Sequence, residues 1–116
     1  MLLNKTNTFL RKNDYVNAMK VLYEGLYFNP EEPYFYGTLG NLMLHYSNAD
    51  SALYYYKKSI GLNPKNADVM NNIGVIFQRI GKIDSAAKYF QKALAVDPNH
   101  TDAVKNLHFV QNLIKK

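Results

Sequence analysis

The chain has 116 residues, 47% hydrophobic and 20% charged, with a formal net charge of +5 and no cysteine. These values fit a folded soluble domain and exclude disulfides, thiolate metal sites and the apolar-poor composition of a disordered chain. No apolar run approaches the ~18 residues of a membrane span. The opening Met1-Leu2-Leu3-Asn4-Lys5 is too polar for a secretory signal, so a cytoplasmic location is expected.

Taken in chain order, the first expected helix, roughly Leu2–Lys12, is the least regular. A second runs from about Tyr15 to Phe28 and ends at Asn29-Pro30, because proline cannot continue a helix and biases the residue before it away from helix. A third covers roughly Tyr34–Tyr46. After the turn Ser47-Asn48-Ala49, with Asp50 or Ser51 as the expected cap, a fourth runs to about Leu62, before Pro64. In the fifth, Val69, Met70, Ile73, Val75, Phe77 and Ile80 form a helical stripe that Gly81-Lys82 breaks. Asp84 or Ser85 should cap the sixth, which carries Ala86, Tyr89, Phe90 and Ala93 and stops before Pro98. A seventh, Thr101–Lys115, has no partner and reads as a terminal cap shielding the last pair. The turns are short and no low-complexity linker interrupts them, so a single domain over residues 1–116 is expected.

These helices repeat every 34 residues. At that shift Pro30, Pro64 and Pro98 fall in register, as do Ala18, Ala52 and Ala86, Gly40 and Gly74, and Leu22, Tyr56 and Phe90. A period of this length implies stacked helix pairs instead of one closed core. The unit from Ala67 supplies Met70, Ile73-Gly74, Phe77, Ala86, Phe90, Ala93 and Pro98, and the unit from Pro33 supplies Tyr36, Leu39-Gly40, Met43, Ala52, Tyr56, Ser59 and Pro64. The first unit gives Phe9, Ala18, Leu22, Gly25 and Pro30, with Lys5 and Thr6 where Leu-Gly or Ile-Gly stands later. This pattern resembles the tetratricopeptide repeat: three repeats, about 1–32, 33–66 and 67–100, plus a capping helix over 101–116. The resemblance implies an all-α, right-handed α-α superhelix of about seven helices. The small columns would let helices approach closely, and Leu22, Tyr56 and Phe90 would fill the space between them.

The resemblance also implies a function: a protein-protein interaction scaffold whose first-type helices line a concave groove for a peptide or partner protein. Carried over by register, the peptide-binding candidates are Asn4, Asn7, Tyr34, Thr38, Asn41, His45, Asp68, Asn71, Asn72, Val75, Arg79 and Asn106. Asn4, Thr38, Asn72 and Asn106 share one column. A side-chain amide offers donors and an acceptor together, so it can hold a peptide backbone without choosing its side chains. Members of the family that clamp the acidic C-termini of chaperones need Lys and Asn in the first groove helix, Asn in the second, and Lys with Arg one turn later in the third, places held here by Leu3, Asn7, Thr38, Asp68 and Asn72. Only Asn7 matches, and Asp68 would repel a carboxylate, so chaperone-tail binding is not expected.

Other chemistry finds little support. His45, His100 and His108 lack ligand spacing for one helix face, and the glycines sit in packing columns and turns instead of a phosphate loop. No enzyme activity, metal or cofactor is expected. The basic residues are scattered, with no stripe interleaved with aromatics, so no nucleic-acid partner is expected either. Ten tyrosines are present and only Tyr89 lies beyond Tyr56; within Tyr54-Tyr55-Tyr56, at least one must face outward and offer a contact surface. The alternatives are a homo-oligomeric self-assembly module, stacking through the first helix or through Phe109 and Leu113, and the non-catalytic repeat domain of a larger enzyme. Two readings stay open, a module that stands alone and an excised part of a larger chain, the second motivated by the abrupt start at Met1.

Overall fold

The computed structural model describes residues 2–115, with side chains from Lys5 onward. It contains seven α-helices: α1 (Leu2–Arg11), α2 (Tyr15–Phe28), α3 (Pro33–His45), α4 (Ala49–Leu62), α5 (Ala67–Arg79), α6 (Ile83–Val96) and α7 (Thr101–Ile114). No strand occurs among the described residues. The chain divides into two compact units, one ending at Leu62 and one beginning at Asn63.

The turns inside the helix pairs recur with the period. Asn13, Ser47 and Gly81, 34 residues apart, each adopt positive φ, at 58°, 60° and 86°. At each, two bonds close the preceding helix. Asn13, Ser47 and Gly81 donate to the carbonyls of Leu10, Leu44 and Gln78, and Asp14, Asn48 and Lys82 donate to those of Phe9, Met43 and Phe77 at 2.8 Å. This is the Schellman arrangement, which satisfies carbonyls that a helix end leaves over. Its last residue also starts the next helix. Asp14 Oδ1 accepts from the Asn17 N–H, and Asn48 Oδ1 accepts from the Ser51 N–H at 3.1 Å. The expected caps Asp50, Ser51, Asp84 and Ser85 are therefore not the caps. The turn is so short that α4 starts at Ala49 and α6 at Ile83, with Lys82 ahead of it making no side-chain cap bond. Asp50 and Asp84 lie in first turns, where their charge suits the helix dipole.

The turns between pairs follow the same logic. Each second-type helix stops two residues before its proline, at Phe28, Leu62 and Val96. Glu32, Asn66 and His100 form the next cap column, accepting from the N–H groups of Tyr34, Val69 and Ala103. Pro33 opens α3, where its missing N–H costs nothing.

In the first unit, Ala18, Leu22, Phe35, Leu39 and Leu42 form the core, with Phe9, Tyr15, Met19 and Tyr34 packed against it. In the second, Ala86, Ala87, Phe90 and Val110 form a core flanked by Val75, Phe77, Ile83 and Leu107. The large column Leu22, Tyr56 and Phe90 is fully buried, as its register requires. A methyl group at Gly74 would lie 2.5 Å from the Phe90 ring, and one at Gly40 would enter the Tyr56 ring. In the first pair the sizes shift together: Thr6 stands in the glycine column and the smaller Leu22 in the aromatic one, both fully buried. A second exchange explains Gly25. A side chain there would meet Phe35 Cζ at 2.7 Å, so bare backbone on α2 makes room for the ring on α3.

Candidate functional site

In the first unit the candidate residues lie on α1 and α3. The Tyr34 ring packs on the core and its hydroxyl donates to Asn7 Oδ1 at 2.9 Å, tying α3 to α1. Thr38 is buried. Asn41 is exposed and accepts a short hydrogen bond from the hydroxyl of the core residue Tyr56. His45 is exposed at the end of α3, its ring 4.2 Å from that of Tyr15. The side chain of Asn4 lies outside the described residues.

In the second unit the candidates lie on α5 and α7. Asn106 Nδ2 donates to Asn71 Oδ1 at 3.0 Å. Asn71 is 6% exposed and Asn106 half-buried, so the pair joins the two helices at the edge of the core. Asn72, the next residue of α5, is half-buried and is itself engaged within the fold. Val75 packs on the Ala86–Phe90 core, and Arg79 is exposed in the last turn of α5. Asp68 is exposed and holds the ring of His100, Nε2 to Oδ1, at 2.6 Å. Because His100 Nδ1 accepts from the Ala103 N–H, the ring proton belongs on Nε2, which donates to the carboxylate. One imidazole thus caps α7 and ties it to α5.

In the column Asn4, Thr38, Asn72 and Asn106, the side chain of Asn106 bonds outside the column, to Asn71. Residues 34 apart are copies of one position on successive helix pairs. These bonds join different columns: Asn71 to Asn106, Asp68 to His100, Asn7 to Tyr34. Sequence reasoning placed His100 in a turn and missed its double role, since histidine is not a usual cap. The one signal was its column, shared with Glu32 and Asn66. The hydroxyl of Ser59, in the column of Gly25 and Ala93, was also missed; it donates to the Pro33 carbonyl at 3.0 Å.

The outer face of the first unit carries a tyrosine cluster. Tyr54 is exposed and Tyr55 half-buried, as an outward member of the run requires. Tyr55 stacks on Tyr36 at 6.5 Å between centroids, and its hydroxyl lies 3.3 Å from that of Tyr23. The hydrogen bond with Tyr23, then burial and the neighbouring tyrosines, push the Tyr55 hydroxyl up to about 12. Among the described residues, no group of three or more His, Asp or Glu side chains gathers to hold a metal ion. No described helix is long and apolar enough to cross a membrane.

Comparison with known proteins fits this geometry. Residues 67–100 match the family model of the tetratricopeptide repeat. No curated protein matches the sequence. Among solved structures, the first TPR of Spaghetti (RPAP3) bound to the HSP90 peptide SRMEEVD superposes with a TM-score of 0.91 at 17% identity, over 99% of this chain and 91% of that one. The second TPR domain of human RPAP3, in complex with the HSP70 peptide SGPTIEEVD, gives 0.85 at 17% identity over 95% and 92%. MamA gives 0.87 at 19% identity, over 96% of this chain and 65% of that one. Among its described residues the chain forms three helix pairs and a final helix. Its 67–100 unit carries the family's sequence, and the full seven-helix chain carries its fold.

Proposed function

We propose that the chain is a non-catalytic protein-interaction scaffold that holds an extended peptide against its first-type helices. The observation that carries this reading is the amide pair of the second unit, Asn106 on α7 bonded to Asn71 on α5, with Asn72 the next residue of α5. An amide carries two donors and two acceptor lone pairs, so the Asn71–Asn106 bond uses only part of the pair's capacity. That bond also fixes the side chains in advance, which lowers the entropy lost on binding. In the first unit, Asn7, Tyr34, Asn41 and His45 carry polar groups on the corresponding helices, while Thr38 is buried. Two superposed neighbours are solved with HSP90 and HSP70 peptides, which supports peptide binding as the class of function. An acidic C-terminus is not the ligand proposed here. Asp68 stands where such a clamp needs a cation, and its partner is His100 instead of a lysine or arginine.

Selection from a random peptide display library against the chain is expected to return extended peptides. Their affinity should fall about tenfold, or ~1.4 kcal/mol, in the variant Asn72→Ala/Asn106→Ala. Thermal melting must accompany the measurement, because Asn106→Ala also removes the bond to Asn71. Selected peptides that bind a folded double variant as tightly as the wild type would sink the reading.

A further inference from the structure

Gly61 stands next to the last residue of α4, and a methyl group there would meet nothing within 4 Å. At Gly25 and Gly74 the same group would strike an aromatic ring at 2.7 and 2.5 Å. Internal packing therefore explains those glycines and does not explain Gly61, although a glycine in a helix is costly relative to alanine. Its bare backbone is the floor of a shallow groove of about 400 Å³ lined by Tyr54, Lys57, Lys58, Gly61 and Leu62. Spacings of three, four, seven and eight residues put these side chains on one face of α4. Tyr54 and Leu62 are 58% and 42% exposed, so the walls are apolar and open. The Lys58 ammonium lies 5.8 Å from the Tyr54 ring centroid, held toward the groove by the ring's negative face. None of the lining residues is acidic.

We propose that this face of α4 docks an acidic peptide segment carrying one large apolar side chain. The apolar side chain fills the space over Gly61, between the Tyr54 ring and Leu62. Carboxylates on either side of it pair with Lys57 and Lys58. Charge selects the occupant: two ammonium groups beside an apolar slot favour an anionic segment and repel a cationic one. The surface lies on a second-type helix and is independent of the amides on α5 and α7.

The test uses the full chain and a fluorescein-labelled Glu-Glu-Phe-Glu-Glu peptide, followed by fluorescence anisotropy. It should bind about tenfold or more tightly than Glu-Glu-Ser-Glu-Glu and than Lys-Lys-Phe-Lys-Lys. Gly61→Leu fills the groove and should weaken binding about tenfold, as should Lys57→Glu/Lys58→Glu. Raising the salt from about 0.05 to about 0.5 M should weaken it as well. Asn72→Ala/Asn106→Ala should leave it unchanged, which separates this site from the one proposed above. Both α4 variants change exposed positions, and circular dichroism shows whether each stays folded. Equal binding of the serine peptide, or binding that survives both α4 variants, overturns the proposal. A concentration-dependent dimer that Gly61→Leu renders monomeric would assign the groove to a second copy and overturn it equally.

Discussion

Two glycines with opposite surroundings show how much a single residue's neighbours decide. Gly25 is buried under the Phe35 ring, whose Cζ would stand 2.7 Å from an added methyl. Gly25→Ala improves helix propensity by about 1 kcal/mol but overpacks the site, for which about 1–3 kcal/mol is typical. The variant is therefore expected to melt lower. Gly61→Ala meets open space and should melt higher, by up to about 1 kcal/mol of stability. A denaturant titration of both variants checks the contrast, and a common sign would refute it. Tyr55 gives a pH prediction. Its folded pKa is raised from 10.0 to about 12, so above pH 10 the unfolded chain releases a proton that the folded chain keeps. Stability should then fall as pH rises from about 10 to about 12, and Tyr23→Phe should reduce that fall by removing the hydrogen bond that contributes most to the shift. Absorbance titration of the phenolates, wild type against variant, reads the difference.

At the scale of the element, the helix ends carry the period as clearly as the core does. Three Schellman turns recur at Asn13, Ser47 and Gly81, and only the last uses glycine. A side chain in this left-handed conformation costs about 1–2 kcal/mol, which Asn tolerates better than Ser. Ser47→Gly is expected to stabilise the chain by up to about 1 kcal/mol after glycine's own entropy cost. A lower melting temperature would show that Ser47 makes a contact worth more than the strain. His100 is the element-scale device of the second unit. His100→Ala removes the α7 cap and the Asp68 bond together and should cost about 1–2 kcal/mol. His100→Asn keeps an acceptor for the Ala103 N–H and should recover about half of the loss. If both variants melt alike, the cap contributes nothing and the Asp68 pair carries the effect.

For the molecule as a whole, the unbroken 34-residue register leads us to propose one domain over residues 1–116, even though contacts cluster into two units. Every tyrosine but Tyr89 lies in the first unit, so the near-ultraviolet signal reports mainly on that unit while far-ultraviolet ellipticity reports on both. A single domain is expected to give coincident transitions by the two probes. Separated midpoints would mean that the units unfold independently, as weakly coupled repeats do. The sequence by itself determined the seven helices, their ends to within about two residues, and the buried column Leu22, Tyr56 and Phe90. Helical periodicity, proline stops and small-residue columns are local signals, readable without knowing what lies across from them. It could not determine the partners of the polar side chains. That Asn106 bonds Asn71, that Asn41 receives the Tyr56 hydroxyl, and that His100 caps one helix while holding another all depend on distances between helices. Register makes residues 34 apart equivalent, but these contacts join different columns, and helix packing decides which ones meet. For the same reason only the tertiary structure separates Gly25, covered by a ring, from Gly61, covered by nothing.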